Sequence, residues 1–201
     1  MPSSYQWRRI STEEREACLT ARKEGGLPWH LPPHYNSETS SQYLITAACY
    51  EHKPIIGASI ERLTSFESAL IELSQSYGEV IAWVVLPNHY HFLFEGNPVT
   101  PLLKALGQFH GKTSFDWNGE DRSRGRKVFH GLTERFMRTD RHAETTVNYI
   151  HHNPVKHGYV ELWQDWPFSS VHRYLETEGR EKLLMRWKDY PVLDYGAKWD
   201  M

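Results

Sequence analysis

Residues 79–96 read EVIAWVVLPNHYHFLFEG. Two runs rich in β-branched and aromatic residues, 79–87 and 89–96, flank Pro87-Asn88, a turn pair, so the stretch predicts a β-hairpin. Side chains alternate along a strand, which puts His89, His91, Leu93 and Glu95 on one face and Tyr90, Phe92 and Phe94 on the other. The aromatic face is core. The histidines are therefore expected on a face at least partly open, beside the turn. Two imidazoles at i and i+2 have their roots ~6–7 Å apart. They can converge on one divalent ion if a third group approaches from elsewhere, and histidine is the commonest metal ligand. Half-exposed strand histidines bonded to their neighbours would look the same, so this short motif does not decide its own meaning.

The flanking segments extend the hairpin into a layered domain. QYLITAACY (42–50) predicts a strand, and SIERLTSFESALIELSQSYG (59–78) a helix with Leu63, Phe66, Leu70 and Leu73 at helical spacing, stopped by Gly78. After the hairpin, residues 99–118 predict a helix, 119–127 a charged loop and 128–139 one or two short strands. Residues 140–152 predict a helix capped by Asp140. It should end about Asn153-Pro154, because the residue before proline is pushed out of the helical region. Beyond Gly158 the chain is rich in Trp and its elements are not assigned. The order β, α, β, β, α, short β, α predicts an α+β fold, a mostly antiparallel sheet flanked by helices. The first 40 residues form an extension. Ser11, with Glu14 three residues on, opens a short helix that ends at Gly25-Gly26, and a Pro- and Ser-rich loop carrying His30 and His34 follows.

Composition narrows the function classes. The 201 residues suffice for one domain with a sizeable core, and 13% aromatic content with eight Trp suits both a packed core and base-stacking platforms. The formal net charge is −2, so the chain is no polycation; yet residues 100–160 hold 10 Lys and Arg against 6 Asp and Glu, a basic, His-rich middle suited to an anion. Cys18 and Cys49 make no metal or redox spacing. The N-terminus lacks the apolar run of a signal peptide, and no apolar run approaches ~18 residues, so the expected setting is the cytoplasm, with no membrane contact.

A second constellation gives the histidines a context. In NYIHHNPVKHGYV, Ala143, Val147 and Ile150 form the helix's apolar stripe; Tyr149 lies at its edge, and Asn153, four residues on, shares a face with it. VVLPNHYHFLF followed by FMRTDRHAETTVNYIHHNPVKHGYV resembles the single-tyrosine HUH transposases, and among them the REP-associated tyrosine transposases. The first match is the His-hydrophobic-His signature, here His89-Tyr90-His91 in a PNH-x-H context; the second is the nucleophile helix, YI-x-x-NP. The similarity covers roughly residues 40–172, including WQDWPFSSV, which is similar to a Trp-x-x-Ser-Ser segment downstream of that helix. Departures are the aromatic Tyr90 between the histidines, His151-His152 after the tyrosine, and the N-terminal extension.

The resemblance implies a ferredoxin-like HUH nuclease domain over 41–175, with residues 1–40 an extension and 176–201 a C-terminal tail. It implies Tyr149 as the nucleophile, forming a 5′-phosphotyrosine and a free 3′-OH. His89, His91 and Asn153 would ligate a divalent metal, Mg²⁺ or Mn²⁺, which suit mixed nitrogen and oxygen donors with open positions. The implied partner is single-stranded DNA carrying a hairpin, met by a monomer or a homodimer. Lys104, Lys112, Arg122, Arg124, Arg126, Lys127, Arg135, Arg138, Arg141 and Lys156 are candidates for phosphate contacts, with 122–127 flexible enough to wrap a hairpin. His152, one turn from Tyr149, can assist proton transfer or, as a cation, cap the helix C-terminus. Two other readings stay open: a domesticated hairpin-binding protein that no longer cuts, and a metal-dependent hydrolase using H-x-H with activated water. The absence of further Asp or His ligands directly after the pair weakens the second.

Overall fold

The computed structural model describes residues 41–196, with Ser11 and Glu13 from the preceding chain. The remainder of the expected N-terminal helix, its end at Gly25-Gly26, and His30 and His34 lie outside the described residues. The chain divides into two units; residues 36–197 form the one described below, and of the other only Ser11 and Glu13 are described.

Strand β1 (Gln42–Cys49) leads into helix α1 (Ile60–Gln75), then the hairpin β2 (Glu79–Val85) and β3 (His89–Glu95), helix α2 (Thr100–Glu120) and β4 (Phe129–Phe136). Helices α3 (Asp140–Lys156), α4 (Val171–Glu178) and α5 (Arg180–Asp189) follow. The sheet order is β2-β3-β1-β4 and every pairing is antiparallel. A βαββαβ chain with the first and third strands central is the ferredoxin-like arrangement, so the expected α+β fold is the observed one. The stretch 128–139 holds one strand, which pairs with β1 along most of its length.

Apolar alternation sets which face each helix covers. Tyr90, Phe92 and Phe94 join Ile45, Leu63, Leu70, Leu102 and Leu106 in one core beneath α1 and α2. Phe66 is its hub, with the rings of Tyr90, Phe109, Trp117 and Phe129 between 5.3 and 5.9 Å away. Burial of each such side chain stabilises the fold by roughly 1.5–3 kcal/mol. The opposite face, expected to be partly open, is covered instead: α3 packs on β2 and β3 there, leaving His89 only 3% and His91 1% exposed. The expectation failed because alternation along one strand shows that two faces differ, not that the second lacks a cover.

Helix ends carry two further corrections. The Thr139 hydroxyl, not the Asp140 carboxylate, caps α3 by accepting from the His142 N–H at 3.1 Å, and Asp140 sits inside the first turn. The helix also runs through Pro154 to Lys156. Proline removes only the N–H that would reach the Ile150 carbonyl, and the next turn is closed by His157 N–H donating to the Asn153 carbonyl at 3.1 Å. The stop is Gly158 at φ +70°, where Tyr159 N–H reaches the Pro154 carbonyl and Gly158 N–H the Val155 carbonyl, a Schellman closure that favours glycine.

Beyond α3, Trp166 to Ser170 close the outer edge of β2. Val85 N–H donates to the Phe168 carbonyl and Ser170 N–H to the Trp83 carbonyl, both at 2.9 Å, and the Trp166 indole donates to the Val85 carbonyl at 3.0 Å. An otherwise unpaired strand edge is thereby satisfied. Residues 176–196, expected as a tail, fold onto α3: Leu183 is buried, and the Asn148 amide donates to the carbonyls of Arg186 and Tyr190 at 3.1 and 2.9 Å. Among the described residues, no helix is long and apolar enough to cross a membrane.

Candidate active site

The β2–β3 turn and the packing of α3 across the sheet bring four side chains together. Register places Thr46 of β1 opposite His91 of β3, and their side chains meet at 2.7 Å, Thr46 Oγ1 to His91 Nδ1. Asn88, the turn residue, presents Oδ1 to His89 Nδ1 at 2.8 Å. The outer nitrogens of both rings thus have partners, and the inner ones turn towards α3. His89 Nε2 lies 3.0 Å from Asn153 Oδ1, and His91 Nε2 lies 3.5 Å from the Tyr149 hydroxyl, with the two imidazole centroids 5.1 Å apart. One helical turn between Tyr149 and Asn153 matches the spacing of the two imidazoles, so a single helix serves both. Their adjacency on one face was legible in the sequence.

The donor set fits a divalent ion. Two imidazole nitrogens and an amide oxygen suit a cation that accepts mixed ligation. Among the described residues, no three His, Cys, Asp or Glu side chains converge as a metal site, so an amide oxygen would have to be the third donor. Asn153 Oδ1 and His89 Nε2 face one another at hydrogen-bond distance, while Asn153 Nδ2 is buried with no partner among the described residues. At 3.0 Å the pair can share a hydrogen when the ring is protonated at Nε2, or flank a cation when that nitrogen carries its lone pair.

The site is closed. Tyr149 is 0% exposed. The Tyr195 ring meets it edge-on at 5.6 Å, and the Tyr195 hydroxyl is 2.5 Å from Thr146 Oγ1. Gly196, at φ +75°, lies so close that a Cβ there would come within 2.8 Å of the Tyr149 Cζ. Lys156 places its ammonium 5.0 Å from the centre of the Tyr149 ring and donates to the Gly196 carbonyl at 3.0 Å. His157 meets the His89 ring at 4.7 Å. Thr46, Asn88, His157, Tyr195 and Gly196 are site neighbours beyond those expected from the sequence. Asn88 stands in the PNH-x-H motif, and His157 follows Asn153 by one helical turn; for the other three, no local spacing signals the contact.

Two flanking histidines take other roles. His151 is buried, its Nε2 is 2.9 Å from Ser170 Oγ, and burial first, then the charges of Arg186, Arg173 and His172, push its pKa down to about 3. His152 was expected as a capping cation. Burial first and Lys156 second lower its pKa, and it lies inside the helix with its ring 5.6 Å from that of Trp187, so it does not cap. Beneath the strand, Tyr90 bonds His110 at 2.9 Å, and burial pushes the His110 pKa down to about 4.

The basic candidates divide. Arg126 is held by Asp121 at 2.7 Å, Arg124 stacks on Phe115 at 4.3 Å and donates to its carbonyl, and Lys127 lies 5.1 Å from the Tyr50 ring. These contacts tie down most of the 122–127 cluster, which was expected to be a flexible arm; Arg122 is exposed. Asp121 also binds Arg62 at 2.6 Å, and these two arginines hold its carboxyl down at about 2. Lys112 pairs with Asp116 at 2.7 Å. Lys104, Arg135, Arg138 and Arg141 are exposed, the last three at the β4–α3 junction.

No family model matches the chain. A Haemophilus influenzae protein named as a REP-associated tyrosine transposase is 30% identical over 127 residues, covering 58% of this chain and 72% of that protein. The REP-associated tyrosine transposase of Escherichia coli K12 is 33% identical over 105 residues, which span 47% of this chain and 55% of the relative. The solved structure of a REP-associated tyrosine transposase bound to a REP hairpin superposes with a TM-score of 0.58 at 20% identity, covering 75% of this chain and 88% of the other. That likeness shows a shared fold.

Proposed function

This chain belongs to the REP-associated tyrosine transposases, and we propose that it cleaves and rejoins single-stranded DNA at hairpin sequences with Tyr149 as nucleophile. The observation that carries the reading is the approach of the Tyr149 hydroxyl to His91 Nε2 at 3.5 Å, beside His89 and Asn153. The Tyr149 oxygen gives up its hydrogen and bonds to the scissile phosphorus as the bond to the 3′ oxygen breaks; the 3′ oxygen takes up one proton and leaves as a hydroxyl, so the proton count is unchanged. The 5′ phosphate stays on Tyr149, and because one phosphoester replaces another, rejoining needs no nucleotide cofactor. His89, His91 and Asn153 would hold Mg²⁺ or Mn²⁺, which when bound withdraws charge from the phosphate and orients it. Asn153 Nδ2, without a partner among the described residues, can donate to a phosphate oxygen. The Lys156 ammonium favours negative charge developing on the phenol. Arg135, Arg138 and Arg141, exposed together at the β4–α3 junction, are candidates to meet the DNA backbone.

Full burial of Tyr149 favours a second reading, hairpin binding without cleavage. A denaturing gel with labelled hairpin DNA and Mn²⁺ separates the readings. A covalent adduct that disappears in Tyr149→Phe supports the transposase. Binding with no adduct from either protein supports the second reading, and cleavage that survives Tyr149→Phe points to a hydrolase using activated water.

A further inference from the structure

The turn residue Asn88 has a side-chain environment that leaves its amide one orientation. Its Nδ2 donates to the His52 carbonyl at 3.1 Å, so its Oδ1 must be the atom that faces His89 Nδ1 at 2.8 Å. A carbonyl oxygen only accepts, so Nδ1 must carry the hydrogen. A neutral imidazole protonated at Nδ1 has its lone pair at Nε2, the atom 3.0 Å from Asn153 Oδ1.

We propose that Asn88 is the positioning residue of this site: it locks His89 in the Nδ1–H tautomer and so keeps the Nε2 lone pair directed at Asn153. The inference rests on the metal-assisted reading above and deepens it. Without Asn88, His89 is free to carry its hydrogen on Nε2 and donate it to Asn153 Oδ1. That ordinary hydrogen bond satisfies both groups and closes the space between them. With Asn88 in place, the same tautomer would set the Nδ1 lone pair against the Asn88 oxygen, two acceptors in a buried contact, which is unfavourable. Rotating the Asn153 amide does not alter this, because its Nδ2 would then donate to the Nε2 lone pair and His89 still holds its hydrogen on Nδ1. Thr46 differs in kind: a hydroxyl can give or take a hydrogen bond, so it orients His91 without dictating its tautomer. Removing an outer-sphere partner of a ligating histidine typically weakens metal binding 10–100-fold.

The test uses the full chain, metal-free, with ¹⁵N chemical shifts of the His89 ring assigned by their loss in His89→Gln. Wild type should show the Nδ1–H form. Asn88→Asp, which keeps an acceptor, should retain it, whereas Asn88→Ala should shift to Nε2–H. Titration with Mn²⁺ alone, below the melting transition of each protein, should then give a dissociation constant about 10–100-fold weaker for Asn88→Ala than for wild type. An Nε2–H tautomer in wild type, or an Asn88→Ala protein with wild-type shifts, would overturn the proposal. If Asn88→Ala does not fold, wild type and Asn88→Asp still decide it, since Nε2–H in either defeats it. If the tautomer follows position 88 but Mn²⁺ binds none of the proteins, the positioning role stands and the metal-assisted reading is what fails.

Discussion

Single side chains in this protein are legible to different depths. Tyr149 and Asn153 could be paired from their spacing alone, because four residues make one helical turn. Asn88 could be seen but not interpreted, since its meaning depends on the His52 carbonyl, 36 residues away. The buried histidines illustrate a cost invisible to composition. His110 and His151 stay neutral in the fold, with pKa values near 4 and 3, while the unfolded chain titrates near ~6.5. Between those limits the unfolded state binds more protons, so stability must fall as pH drops below about 6.5, by up to ~1.4 kcal/mol per pH unit for each group. We expect the urea midpoint to decline from pH 7 to pH 5, and His110→Gln to flatten that decline. A midpoint independent of pH would show that these rings are protonated in the fold. Asp121 acts at the far end of the scale: its depressed carboxyl contributes stability above the unfolded value of ~3.9 that is lost as pH falls towards about 2.

Secondary-structure elements were read well where periodicity is long and poorly where one residue was asked to end them. The β2–β3 hairpin and helices α1 and α2 follow from apolar spacing. Pro154 misled because a proline in a final turn forfeits a single hydrogen bond, whereas Gly158 supplies the conformation that ends α3. Gly158→Ala should therefore cost about 1 kcal/mol, read as a lower melting temperature. The Ser-Ser segment has a structural answer too. Ser170 Oγ accepts from the Trp83 N–H at 2.9 Å and meets His151 Nε2 at 2.9 Å, linking the sheet edge to α3 two residues from Tyr149. Ser170→Ala leaves two buried groups without that partner and should destabilise by about 2 kcal/mol in urea unfolding; a loss under ~0.5 kcal/mol would mean the link is dispensable.

At the scale of the molecule, the sequence pointed to the right layers but not to their coverage. Nothing in a local pattern announces that Tyr195 and Gly196 lie over a phenol more than forty residues earlier in the chain. For Tyr149 to reach a phosphate, that cover has to lift, so deleting residues 191–201 should raise the yield of covalent adduct on hairpin DNA several-fold. A reduced yield would assign the segment to support of α3 instead. The two lateral margins of the sheet also differ in a way that bears on assembly. Trp166 to Ser170 already occupy the hydrogen-bonding positions beside β2, whereas β4 has a strand neighbour on one flank only among the described residues. If two copies of this chain join by continuing one sheet into the next, the margin that the described residues leave for the seam is β4, and the pair of phenols would then stand towards opposite ends of an eight-stranded platform.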